Sequence, residues 1–200
     1  MTKRLVLASQ SEGRAQMLRD AGLDFDIEPA SLDEAALTLG LAAAGQTPRN
    51  IADALAEAKA LKLSARRPGR LVIGCDQLLA LDDGSLLAKP LDRADAEAQL
   101  MRLSGQRHRL FSAVVVAENG VPLWRHVAEA QLWMRALSAD FVSAYVAEQW
   151  DRIRWTVGCY EVEGAGAQLF TRTDGDRWTI VGLPLLPLLG WLRERSEIAA

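Results

Sequence analysis

The stretch Leu71–Pro90, LVIGCDQLLALDDGSLLAKP, constrains this chain more than any other. Leu71-Val72-Ile73 is the short apolar run that a buried strand needs. Gly74 and Cys75 then let another piece of backbone crowd close, and Asp76 stands where the run ends. A carboxylate there is costly unless a metal ion, a cation or a bound water pairs with it. Beyond it, Leu78–Leu81, Asp82-Asp83-Gly84 and Leu86–Ala88 read as strand, tight turn and strand. A hairpin folds back on itself, which predicts Asp76 and Lys89, the latter fixed before Pro90, on the same side. One carboxylate and one ammonium facing a common space make a minimal site for metal-assisted chemistry on phosphate. The alternative is a structural ion pair at a strand end.

The preceding segments supply further polar groups. Arg4–Ala8 reads as a first strand, and the helical stripe of Ala15, Leu18 and Ala21 with Gly22 behind it reads as a helix and its stop. Ser9 and Ser11 therefore lie on a strand-to-helix turn, where backbone N–H groups and the helix dipole favour an anion. Arg14 adds a fixed planar cation in the first turn. Capping alone accounts for one serine, but not for the second or the arginine. Phe25–Glu28 alternates like a strand, and Asp33-Glu34 places two carboxylates ahead of an alanine-rich segment. Those acids also suit the N-terminus of a helix. Thr47–Leu63 is the clearest helix, with Pro48 at its first position. Ile51, Leu55, Ala58 and Lys62 step around one face, and Lys59, four residues from Leu55 and eight from Ile51, falls on the inner stripe, so it either snorkels outward or reaches an acidic or phosphate group inside.

In the second half, Asp92 predicts a capped helix through Leu103, and Ser138 another with Phe141, Val142, Tyr145 and Val146 inward. Arg107–Ala117 and Val121–Leu137 are strand-like runs joined at Asn119-Gly120, a strong hairpin turn. Thr156–Thr173, rich in glycine and β-formers, reads as a twisted hairpin or bulged strand pair, with Glu163 before Gly164. Trp178–Val181 reads as a last core strand, and Leu185, Leu188, Leu189 and Leu192 as the buried face of a terminal helix. Strand and helix alternate, then strands meander, then strand and helix return. That pattern predicts one α/β fold over residues 1–200, with a long mixed sheet, flanking helices and a cleft.

Two hundred residues carry a formal charge of −3, which speaks against a nucleic-acid duplex as main partner. A small anion in a local basic pocket fits that balance. The two cysteines, Cys75 and Cys159, form no C-x-x-C pattern and read as reduced thiols of a cytoplasmic protein. His108 and His126 stand too far apart in sequence to suggest a zinc site. No apolar run reaches the length of a membrane span, and the N-terminal one is short for a signal peptide.

These segments together resemble the Maf family, the septum-formation-inhibitor-like nucleotide pyrophosphatases. The resemblance runs through LASQSEGR, LDE at 32–34, AEAKA at 56–60, VIGCDQ at 72–77, KPLDRADAEAQL at 89–100 and LSGQRH at 103–108. It continues through VGCYEVEGAGAQLF at 157–170 and GDRWTIVGLPLLPLL at 175–189. Any one piece is weak, but their order and spacing are specific. The resemblance implies a two-lobed, ITPase-like α/β fold with a deep cleft. It implies hydrolysis of a nucleoside triphosphate to the monophosphate and pyrophosphate with a divalent metal, Mg²⁺ or Mn²⁺, as house-cleaning of non-standard nucleotides. Carried over by position, Ser9, Ser11 and Arg14 match the phosphate-binding turn, and Lys59 and Lys89 the phosphate-side lysines. Glu34 and Asp76 match the metal-side acids, with Asp76 catalytic. The family is usually cytoplasmic and often dimeric.

The chain departs from the family pattern in informative places. Where the family commonly has a proline and two arginines after the second serine, Glu12 and Gly13 precede a single Arg14, so Glu12 must point away from an anion. A family lysine is replaced at Thr156. Gln77 after Asp76, and Glu163 before Gly164, look like the branch that prefers 7-methyl-GTP over the one that prefers dTTP and UTP. Glu163 can accept two N–H bonds from a guanine-type edge, and a methylated, cationic guanine adds Coulomb attraction. Two other classes compete. One is a non-catalytic nucleotide sensor that acts in cell division. The other is a nucleotidyl transferase, which uses the same residue types around phosphates.

Overall fold

A computed structural model of the chain describes residues 4–199. Seven strands, β1 (Leu5–Leu7), β2 (Phe25–Ile27), β3 (Leu71–Leu81), β4 (Leu86–Leu87), β5 (Arg107–Glu118), β6 (Val121–Met134) and β7 (Phe170–Asp174), form a mixed sheet in the order β2-β1-β3-β5-β6-β7, with β4 paired to β3. The α/β class expected from the alternation is the one observed. The residues fall into two compact units. One comprises the chain up to Gln77, Ser112–Ala128 and the chain from Gly182; the other comprises Leu78–Phe111 and Glu129–Val181.

In the first unit, β1 (Leu5–Leu7) runs parallel to β2 (Phe25–Ile27) and to the start of β3 (Leu71–Leu81), with Leu5 opposite both Phe25 and Leu71. Leu5, Val6 and Leu7 are all buried, as unbroken apolar runs are in strands covered on both faces. Helix α1 (Glu12–Asp20) starts at Ser11, whose Oγ accepts the Arg14 backbone N–H at 3.3 Å, and is followed by Gly22 at φ +77°. Asp33 caps α2 (Glu34–Ala43), and Thr47 caps α3 (Pro48–Ser64) with Pro48 in the first turn. Ile51, Leu55, Ala56, Ala60 and Leu63 form the buried face of α3.

Contact between α3 and β3 is set by Gly74. A Cβ there would lie 2.2 Å from the Ala56 carbonyl oxygen and 2.6 Å from the Ala60 nitrogen, so the two backbones touch directly. The expected end of the strand at Asp76 does not occur: β3 continues unbroken to Leu81. The carboxylate is satisfied within the fold by Lys59, so the strand has no need to stop there. Asn119 (φ 52°) and Gly120 (φ 77°) turn the chain between β5 (Arg107–Glu118) and β6 (Val121–Met134), both in the left-handed region that a tight hairpin requires. Helix α7 (Leu185–Glu194) buries the four expected leucines.

The second unit holds the rest of β3 and its hairpin partner β4 (Leu86–Leu87), with Leu79 opposite Leu87. Helices α4 (Arg93–Leu103) and α5 (Ala139–Ile153), capped by Asp92 and Ser138, pack Leu100, Leu103, Val142 and Val146 around Leu79, Leu132 and Leu169.

Two sequence expectations fail here. Thr156–Thr173 is not a hairpin. Gly158 (φ 78°) and Cys159 (φ 60°) turn the chain out of extended geometry, and a 3-10 helix, Ala165–Leu169, follows. Only β7 (Phe170–Asp174) is strand, antiparallel to β6. Trp178–Val181 is likewise not a strand but part of helix α6 (Arg177–Val181). Asp176 accepts the Thr179 backbone N–H at 2.8 Å and also its hydroxyl, and that local cap overrides the β-preference of Trp, Thr, Ile and Val. Among the described residues both cysteines are free and buried, and no helix is long and apolar enough to cross a membrane.

Candidate active site

The site begins at the carboxyl ends of the parallel strands of the first unit, where open α/β sheets bind ligands. The Ala8 N–H donates to the Ile73 carbonyl at 2.8 Å, so the chain leaving β1 lies beside Gly74-Cys75-Asp76. It then turns through Ser9 and Ser11 into α1. Ser9 Oγ accepts the Ser11 N–H at 3.2 Å, and the first turn of α1 faces outward from there. Glu12 is turned away, as its charge demands: its carboxylate takes the Arg19 guanidinium at 2.6 Å.

Lys59 sits at the centre of the acidic residues. Its ammonium is 2.6 Å from Asp76 Oδ1 and 3.0 Å from Glu34 Oε2, and it donates to the Cys75 carbonyl at 3.4 Å. It does not snorkel: Lys59 and Asp76 are only 6% and 5% exposed. Burial pushes the Asp76 carboxyl above the usual carboxylate range, while Lys59 and then Arg14 pull it back. Removing the ammonium would leave a buried carboxylate alone, a change that costs about 3–5 kcal/mol. Glu34, by contrast, is half-exposed on the first residue of α2. The two acids named from sequence are thus brought together around one cation. Burial lifts the Cys75 thiol next to them to about 11, which excludes it as a nucleophile at neutral pH.

Hard carboxylate oxygens suit Mg²⁺ or Mn²⁺, and this pair already surrounds a positive charge. Among the described residues no group of three His, Cys, Asp or Glu side chains converges as a ready-made metal cage. A divalent ion held by Glu34 and Asp76 would therefore complete its shell with water and substrate oxygens, the usual arrangement for Mg²⁺.

Arg14 is anchored more firmly than its expected phosphate role requires. Its Nε donates to the Gly182 carbonyl at 2.8 Å, and Nη1 to Ser9 Oγ at 3.3 Å and the Cys75 carbonyl at 3.4 Å. It ties the turn after β1, the strand beside Asp76 and the segment before α7 into one frame. Gln77 donates to Ser112 Oγ at 3.0 Å. A Cβ on Gly182, which adopts φ 121°, would meet Arg14 Nε and Gln77 Oε1 at 3.4 Å each. Gly182 and Ser112 were not legible as site residues. Their only signals are a glycine before Leu-Pro and a lone serine in an apolar strand.

Lys89 and Glu163 belong to the second unit. Lys89 is exposed just after β4 and, among the described residues, forms no ion pair. Glu163 lines a pocket of about 410 Å³ together with Val162, Thr173, Arg177, Ile180 and Val181. That pocket carries one carboxylate, one guanidinium and aliphatic walls, and Arg177 is a lining residue that sequence reasoning gave no role.

Residues 4–195 match the Maf-like protein family. A protein of Sphingopyxis alaskensis named nucleoside triphosphate pyrophosphatase is 64% identical over 189 residues, 94% of this chain and 96% of that one. One of Ruegeria pomeroyi with the same name is 48% identical over 99% of both chains. A protein of Brucella abortus biovar 1 named 7-methyl-GTP pyrophosphatase is 49% identical, again over 99% of both.

Proposed function

The chain belongs to the Maf family, and from that membership we propose that it is a nucleoside triphosphate pyrophosphatase. It cleaves the α–β phosphoanhydride bond of a nucleoside triphosphate to give the monophosphate and pyrophosphate, acting on non-standard nucleotides. The observation that carries this reading is the cation-centred pair of Glu34, at the start of α2, and Asp76, midway along β3, beside the serine turn that leads from β1 into α1.

Asp76 is the general base. Burial holds its carboxyl above the usual carboxylate range against the pull of Lys59 and Arg14, which makes it a better proton acceptor than an exposed aspartate. A Mg²⁺ or Mn²⁺ ion held by Glu34 and Asp76 supplies charge neutralisation at the phosphate and a lowered pKa for attacking water. Lys59 offsets charge that builds on the leaving pyrophosphate, and Lys89 adds to it from the hairpin. Backbone N–H groups of the turn after Ser9 and the start of α1 hold phosphate oxygens. Arg14 keeps that turn in register with Asp76 and directs its remaining N–H groups to phosphate.

Glu163 reads the base, and Gln77 lies next to the catalytic aspartate on the same strand. A carboxylate in a pocket with aliphatic walls favours a guanine-type edge, and 7-methyl-GTP as the triphosphate. Relatives carry both the general and the 7-methyl-GTP name, in line with this choice. A panel of 7-methyl-GTP, GTP, dTTP and UTP with Mn²⁺, read by pyrophosphate release, tests the reading. Highest kcat/KM on 7-methyl-GTP is expected. Preference for dTTP and UTP would place the chain in the other branch, and no pyrophosphate from any nucleotide would leave a sensor as the better reading.

A further inference from the structure

Two carboxylates and one ammonium do not make a metal site of the usual kind, because the protein's own cation already stands in it. We propose that the ammonium of Lys59 is the counter-ion that holds Glu34 and Asp76 together before metal arrives. A divalent cation then binds by displacing Lys59 towards the substrate's phosphates. The inference rests on the pyrophosphatase reading above and assigns Lys59 a role in metal affinity as well as in phosphate binding.

The geometry of one nitrogen atom carries it. Lys59 Nζ faces Asp76 Oδ1 at 2.6 Å, Glu34 Oε2 at 3.0 Å and the Cys75 carbonyl at 3.4 Å. An ammonium has three N–H donors and no acceptor, so those three oxygens saturate it. A Mg²⁺ ion taking the same two oxygens, Asp76 Oδ1 and Glu34 Oε2, would lie about 2.0–2.1 Å from each. That leaves no space for Nζ between them, and two positive charges at such range repel strongly in a buried site.

The surroundings decide which group yields. Arg14, the other nearby cation, is held by Gly182, Ser9 and Cys75 oxygens and cannot leave without breaking that frame. Lys59 makes all its polar contacts at one atom, Nζ, at the end of a four-carbon stem that can re-aim it without breaking backbone contacts. Glu34 opens α2, a helix with no buried residue, so it can follow an incoming ion at little packing cost. The released ammonium then carries its charge to the phosphates only when metal is present, which links the two cationic contributions.

Binding of Mn²⁺ without nucleotide, read from the free-ion electron paramagnetic resonance signal, tests this in the full chain. Lys59→Met removes the competing charge while filling similar space, and is expected to bind Mn²⁺ at least about tenfold tighter than the native chain, the scale at which neighbours tune metal ligands. Equal or weaker binding would overturn the proposal. Should Lys59→Met fail to fold, acylation of Lys59 by acetic anhydride in the native chain, followed by mass spectrometry with exposed Lys89 as reference, decides it. Faster labelling of Lys59 with saturating Mn²⁺ is expected; an unchanged rate would overturn it. Pyrophosphate release by the same preparation reports separately on the function. A chain that releases pyrophosphate without any Mn²⁺-dependent change at Lys59 keeps its activity and loses this proposal.

Discussion

Gly74 and Ala56 approach so closely that no side chain fits between them: a Cβ on Gly74 would stand 2.2 Å from the Ala56 carbonyl oxygen. That contact seats α3 on β3 and so brings Lys59 to within 2.6 Å of Asp76. The obstacle is helix backbone, which cannot rotate aside as a side-chain tip can. Gly74→Ala should therefore cost at least the ~1–3 kcal/mol typical of overpacking and also lower kcat, because it wedges the ammonium away from the carboxylate. Urea unfolding and steady-state kinetics on the same variant check both. Native stability with native turnover would mean that the contact does not set the site.

Asp76→Asn keeps shape but cannot take a proton, and it removes a charge from the pair with Lys59. We expect kcat to fall at least about a hundredfold, the lower scale for loss of a general base. KM should move less, since the phosphate contacts come from other residues. Near-native turnover would remove Asp76 from the chemistry.

Glu163→Gln tests the base pocket. Replacing a carboxylate by an amide in the pocket with Arg177 takes away attraction for a cationic base and adds a donor. The ratio of kcat/KM for 7-methyl-GTP to that for dTTP should drop, chiefly through loss on 7-methyl-GTP. An unchanged ratio would show that Glu163 does not read the base.

His108 gives the fold an acid limit. The imidazole is fully buried against Tyr160, with its Nε2 2.7 Å from the tyrosine hydroxyl, and burial lowers its pKa to about 4. The unfolded chain protonates near the ordinary value of 6.5, so it binds more protons between these limits. His108 therefore contributes stability that is complete above about pH 6.5 and declines as pH falls towards 4, on the order of 3 kcal/mol in all. An NMR titration should find the His108 ring neutral at pH 5.5, with the urea midpoint already lower than at pH 7.5. A ring that titrates at an ordinary histidine pH would contradict it.

How much of this could be read from residues follows from the range of the interaction behind each element. Ser11, Asp33, Thr47, Asp92 and Ser138 cap the helices they precede, because a cap acts within one turn. The Asn119-Gly120 hairpin was legible for the same reason. Helical periodicity put Lys59 on the inner stripe and the apolar run put Asp76 at a buried strand, but the residues suggested Lys89 as the partner of Asp76; the pairing with Lys59 depends on the packing of α3 on β3, which no local pattern carries. The left-handed Cys159 has no signal in residue type, and Asp176 converted a β-prone segment into α6 with one side chain. The Arg14 bond to Gly182 joins positions 168 apart, beyond the reach of any local pattern.

Hydrolysis of 7-methyl-GTP in ¹⁸O-labelled water, with products resolved by ³¹P NMR and mass spectrometry, tests the central claim most directly. The account predicts monophosphate plus pyrophosphate, with the solvent oxygen in the monophosphate, since water activated at Asp76 attacks the α-phosphorus. Nucleoside diphosphate plus orthophosphate, or label in the pyrophosphate, would contradict it.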